Sequence, residues 1–251
     1  MGSFQYTKLA RTVTGATALF ATCLLSALPL QAQANAAANA APKPTIAVME
    51  FDNAAMVRRD EFAAMTVGMQ VMLTNALATN PNVVVVERQR ILEIMKEQDL
   101  GTAGRLDPAT AAKVGKILGA QYVLLGAFVV APDMEMRLSA RAVNTETSVL
   151  EHVEDVAGKG DKIFKLVDQL AGKLNGGLKL PGQRDNKASK ELGSDGPNQL
   201  EAMKAMSAAR RLEEQGDVKG AIAMYQKTLA LNGDLGVVRT RLASIEKSQP
   251  K

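Results

Sequence analysis

The sequence has no tryptophan, one cysteine and one histidine in 251 residues, and aromatic side chains make up only 4% of it. Each scarcity removes a class of chemistry. With Cys23 alone, no intramolecular disulfide can form, so the fold must rest on its core. With His152 as the sole imidazole and Cys23 inside an apolar leader, Ser-His and Cys-His nucleophiles and transition-metal hydrolysis lack their parts. His152 stands among Glu151, Glu154 and Asp155. Strand alternation puts only His152 and Glu154 on one face, two ligands where a metal needs more. Few aromatics, and no basic run interleaved with them, leave nothing to stack on bases. The formal charge is +4, and two of those charges, Lys8 and Arg11, sit in the leader. What remains is near neutral, so no nucleic-acid partner is expected. Gly158 and Gly160 suggest a dinucleotide turn, but Ile163 replaces the third glycine and no further parallel strand follows. No catalytic residue, cofactor or metal site is therefore assigned, and the chain is not expected to be an enzyme.

What is present begins with export. Lys8 and Arg11 precede a mostly apolar run, Val13 to Leu30, and Ala32-Gln33-Ala34 and Ala34-Asn35-Ala36 offer small-residue cleavage sites. Residues 1–36 are thus expected to be a signal peptide and 37–44 an Ala/Pro tether. A retained membrane helix is disfavoured by Pro29 and by the shortness of the run.

Residues 45–181 alternate strand and helix. Ile46 to Phe51 predicts a first strand. Asp60 to Ala78 predicts a helix with Phe62, Met65, Met69, Met72, Leu73, Ala76 and Leu77 on its buried face. Val83 to Val86 predicts a strand covered on both sides, as in a parallel sheet. Ile91, Leu92, Met95 and Leu100 form a helical stripe stopped by Gly101 and Gly104. Asp107-Pro108 caps a further helix that closes at Gly119, and Tyr122 to Val130 is again apolar strand. Beyond it the pattern changes to period two, from Met134 to Ala142 and then from Ser148 to Val156, predicting antiparallel strands. A last helix runs from Lys162 to about Leu174. The fold class expected is α/β, a mixed β-sheet packed with helices.

Residues 182–198 are polar and turn-rich, a flexible linker. From 199 to 247 the pattern is helical only, a small all-α segment. Leu212, Gly216, Ala221, Tyr225 and Leu229 stand where a tetratricopeptide repeat places its turn and packing residues, so these helices resemble that repeat and are candidates for binding a protein partner. Thr228 and Gly233 depart from the pattern. One repeat plus a third helix is too little to stand alone, so the segment is expected to dock on the main domain or on another copy.

The words of the α/β region carry a resemblance. Glu87, Arg88 and Gln89, then Glu97, Gln98 and Leu100, and then Val114-Gly115-Lys116-Ile117-Leu118-Gly119-Ala120 ending at Gly126, follow the order and spacing of the CsgG/HfaB family of curli-secretion and holdfast-anchoring proteins. The likeness extends from about Thr45 to Leu180. It implies a CsgG-like or TolB-N-like fold and a periplasmic home in a Gram-negative cell, with possible peripheral association with the outer membrane. It also implies a homo-oligomer working through contacts with envelope or secretion-system proteins in assembly, export or anchoring of a surface structure. Channel-forming relatives are lipidated at a cysteine. Here Phe20-Ala21-Thr22 departs from a lipobox, and Cys23 is expected to leave with the leader. Those relatives also insert membrane hairpins after the third strand and before the final helix. Three residues separate Val130 from Met134, and a short loop separates Val156 from Lys162, too few for a hairpin. Two alternatives stay open, a curli-type secretion-channel lipoprotein and a regulator of cell-wall synthesis resembling the penicillin-binding-protein activators. Arg88 opposes the dipole at the start of its helix. It is expected to pair with the neighbours of Glu87 or with Asp99, the rival being a partner subunit.

Overall fold

The computed structural model describes residues 42–99, 106–182, 192–193 and 196–248. The expected signal peptide, Cys23, Leu100 and the stops at Gly101 and Gly104 lie outside the described residues. The chain divides into the units Met1–Pro42 and Lys43–Lys251, and everything below concerns the second.

The sheet is mixed, with strand order β3-β1-β4-β5-β6 and β2 also paired to β4. β1 (Thr45–Val48) lies parallel between β3 (Val84–Val85) and β4 (Tyr122–Val130). The expected first strand, Ile46 to Phe51, is shorter than its hydrophobicity predicts. Four steps from Val48 to Asp52 match three from Leu124 to Ala127 on β4, so the chain bulges at Glu50 and Phe51 before β2 (Asp52–Asn53) rejoins. Packing causes the bulge. The Phe51 ring fills the space over Gly126, where any Cβ would collide with it, and Glu50 is turned out of the ladder.

The four valines are also corrected. Only Val84 and Val85 pair, they form the edge of the sheet, and Val84 is 45% exposed. Val83 and Val85 face the larger core cluster while Val86 packs against the smaller one. A run apolar at every position is buried on both faces only where both faces are covered, and cover stops short of Val84.

Helices α1 (Arg59–Ala63) and α2 (Met65–Ala78) divide the expected single helix at Ala64. All seven residues of the predicted stripe are buried. So are Val67, Gly68 and Gln70 on the other side, because α2 is covered from two directions. α3 (Arg88–Glu97) and α4 (Pro108–Leu118) pack on the opposite face through Ile91, Ile94, Met95, Ala112 and Val114 against Ala47, Val123 and Leu125. The α4 cap forms as the sequence predicts. Asp107 accepts from the amides of Ala109 and Thr110 at 2.9 and 3.1 Å, and Gly119 closes the helix with φ +68°.

β5 (Glu135–Asn144) and β6 (Leu150–Lys159) complete the sheet antiparallel. A 3-10 turn, Gly160–Lys162, leads into α5 (Ile163–Gly177). β6 thus runs past the expected end at Val156, and Gly158 lies within the strand.

α6 (Gln199–Glu214), α7 (Val218–Leu231) and α8 (Gly236–Ser248) follow. α6 crosses α2 so closely at Gly68 that a Cβ there would collide with Ser207 and Met203. Ala202, Met203, Met206 and Ala209 of α6 join the same core as α2 and the sheet. Burying each methionine contributes about 1.5–3 kcal/mol. The helical segment therefore docks on its own α/β domain. Part of the expected linker is packed too. Leu192 bridges to Leu235, and Asn232 donates to the Gly193 carbonyl at 3.1 Å. Among the described residues no helix is long and apolar enough to cross a membrane.

Candidate functional site

Two parallel neighbours, β1 and β3, send their chains to opposite faces of the sheet. β1 leads to α2 on one side and β3 leads to α3 on the other. In open α/β sheets such a reversal opens a crevice at the carboxyl ends of the strands. Glu50 lies just beyond β1 and Arg88 just beyond β3, so the crevice brings together a carboxylate and the arginine of the Glu87-Arg88-Gln89 motif.

Arg88 is only 8% exposed, and its whole fork is engaged. Nε donates to Glu214 Oε1 at 2.6 Å and Nη2 to Glu214 Oε2 at 3.1 Å, a bidentate pair with the last residue of α6. Nη2 also reaches Glu50 Oε2 at 3.3 Å, and Nη1 donates to Gln70 on α2. Gln70 is itself fixed by donating to the Val48 carbonyl at 2.6 Å. Arg211 donates to Glu50 Oε1 and to Thr66, both at 2.8 Å. Two arginines and two carboxylates thus neutralise one another where sheet, α2, α3 and α6 meet. The expected pairing of Arg88 with Asp99 or the neighbours of Glu87 is overturned. Its partners come from positions 50 and 214, distant in sequence, and they outweigh the local dipole.

A second cluster adjoins this one. Glu213 accepts from Tyr225 Oη at 2.8 Å and from Arg210 Nη1 at 2.9 Å, and also pairs with Arg241. Burial pushes the Glu213 carboxyl up, but the Arg241 bond and the Arg210 charge outweigh it and hold the carboxyl below its ordinary range. Burial, reinforced by Glu213, raises the Tyr225 phenol, so Tyr225 stays a neutral donor. The Arg210 Nε is buried with no hydrogen-bond partner among the described residues.

Between these clusters lies a groove of about 850 Å³. Asn75 on α2 and Val237 and Arg241 on α8 form its walls, with Met206, Arg210 and Tyr225 contributing from α6 and α7. Glu87, Arg88 and Gln89 line it as well, so the groove brings that motif and one predicted repeat residue, Tyr225, into a single site. The other predicted residues lie elsewhere. Glu97 and Gln98 are exposed at the end of α3. Gly115 lets α4 approach Thr145 and Val123, and Gly126 accommodates Phe51. Ala221 is buried, Leu212 and Leu229 pack partly against the core, and Gly216 makes the positive-φ turn between α6 and α7. His152 pairs with Glu154 at 2.8 Å and lies against Gly177. Glu50, Gln70, Arg211 and Glu214 carried no motif, and sequence reasoning missed all four. A charged Glu50 inside an otherwise apolar strand was the one signal available.

Residues 29–143 match the model of a family described as Curli production assembly/transport component CsgG. The matched stretch ends with β5, so β6, α5 and the three C-terminal helices lie beyond it. Comparison with curated proteins finds no match. Solved structures with some likeness to the chain include the LpoB C-terminal domain from Salmonella enterica, with 18% identity over 52% of this chain and 93% of that one, at a TM-score of 0.38. Lipoprotein GNA1162 from Neisseria meningitidis shares 17% over 46% of this chain and 79% of that one, at 0.37. The PelC dodecamer from Paraburkholderia phytofirmans shares 14% over 56% and 91%, at 0.35.

Proposed function

We propose that this protein belongs to the CsgG family, whose model residues 29–143 match, and that it works in the periplasm of a Gram-negative envelope, through protein contacts rather than catalysis. It supports the assembly, export or anchoring of a cell-surface structure without itself forming a pore. The observation that carries the second half is the pair of turns at one end of the sheet. β4 stops at Val130 and β5 starts at Glu135, while three residues, 160–162, join β6 to α5. The Gly160 amide donates to the Met134 carbonyl at 3.2 Å, tying the two turns together. A membrane-crossing strand needs about ten residues, so neither junction has room for a hairpin.

The first half rests on the family and on the groove, where the Glu87-Arg88-Gln89 segment meets the docked C-terminal helices. In this proposal α6 to α8 are a fitted part of the α/β domain and present the groove to a partner. Full-length protein expressed with its leader, cross-linked in intact envelopes and identified by mass spectrometry, tests the proposal. Recovery of export or surface-fibre components supports it, and recovery of a cell-wall synthase redirects it to regulation of wall synthesis. Purified protein that releases dye from lipid vesicles would refute the claim that it makes no pore.

A further inference from the structure

We infer that Glu214 is an internal stand-in for a ligand. The crevice around Arg88 is a binding site for a carboxylate side chain of a protein partner, and the chain's own helix α6 closes it. The inference rests on the reading that the protein acts through protein contacts, and deepens it by naming what the partner must present.

Four observations carry it. The crevice lies at the topological switch point of the sheet, where open α/β folds place ligands, and here α6 fills it. Arg88 grips Glu214 through Nε and Nη2 on two separate oxygens, the fork geometry arginine uses to hold a carboxylate in a fixed orientation. The charges count the same way. Arg88, Arg211 and Glu50 together leave one positive charge, so the crevice calls for one carboxylate, whichever chain supplies it. Finally, Glu214 is the last residue of α6, where the helix macrodipole opposes a negative charge. It is also the more exposed of the two carboxylates, 22% against 11% for Glu50. The groove that Arg88 lines gives an incoming acidic side chain its approach. A partner carboxylate that replaces Glu214 at equal charge would free the end of α6.

Formate is the probe, with the full chain throughout. Glu214→Ala leaves the fork facing a space that formate fits. Sodium formate should raise the melting temperature of Glu214→Ala saturably above its value in sodium chloride of equal ionic strength. The expected rise is about 3–6 °C at ten times the dissociation constant. Arg88→Ala/Glu214→Ala should show no such rise. In wild-type protein formate competes with Glu214, so amide exchange should speed up in α6 to α8 and stay unchanged in β4 and β5. That arm requires no variant to fold. Equal response of the two variants, or unchanged exchange in wild type, overturns the carboxylate site. A photo-cross-linker at Gln89, in envelopes, then reads the partner. Adducts that increase in Glu214→Ala and vanish when Arg88 is also replaced support a protein carboxylate. Formate rescue without adducts leaves the site standing and removes the protein partner.

Discussion

Replacing Arg88 by alanine is the sharpest test of the joint. The side chain makes two bonds to Glu214, one to Glu50 and one to Gln70. Breaking a buried ion pair by removing one partner costs about 3–5 kcal/mol, because it strands a charge away from water. Here Glu50 is not stranded, since Arg211 still holds it at 2.8 Å. Only Glu214 is left alone, and at 22% exposure it recovers part of its hydration. The expected loss is therefore at the low end, about 3 kcal/mol. For a chain of this size that shifts the melting temperature by about 6–12 °C. The double replacement Arg88→Ala/Glu214→Ala removes the stranded carboxylate. It should be less destabilised than the sum of the two singles by about 1.5–3 kcal/mol. Urea unfolding of the full-length variants, followed by far-UV circular dichroism, measures both quantities. An Arg88→Ala loss under about 0.5 kcal/mol, or strict additivity in the cycle, would refute the claim that this network joins the helices to the sheet.

Gly68→Leu should force α6 off α2, because a Cβ alone already collides with Ser207 and Met203. A loss of about 1–3 kcal/mol or more is expected, with faster proteolysis between residues 182 and 198 as a second readout. Asp107→Ala removes the cap acceptor for Ala109 and Thr110 and should cost about 1 kcal/mol. Amide exchange at the start of α4 reports it. For Glu213 the folded carboxyl lies below its ordinary value of 4.5. Its contribution is fully present above that value and is lost as pH falls through the folded one. Glu213→Gln should therefore flatten the acid side of the stability profile and leave its neutral-to-alkaline slope unchanged, as read by melting temperature against pH.

Local pattern was enough for much of the fold. Tyr122 to Val130, the Asp107 cap, the Gly119 stop and the period-two strands depend on neighbours within a few residues, and the sequence carries all of them. The methionine stripe of α2 was legible as buried, because helical spacing alone sets which residues share a face. Legibility ended where burial depends on what lies opposite. Four identical valines could not reveal that their strand is an edge, since cover is a property of other elements. The break at Glu50 and Phe51 follows from a ring meeting a glycine 75 positions away in sequence. Helical character from 199 onward was plain, but whether those helices stand apart or dock depended on Gly68 meeting Ser207. The motif arginine was visible from the start as a charge at odds with its helix. Its partners are Glu50 and Glu214, 38 and 126 residues distant. Only the folding of sheet and helix onto one crevice could bring three such positions within hydrogen-bond reach, because charge pairing over that separation is decided by tertiary packing and leaves no period in the sequence.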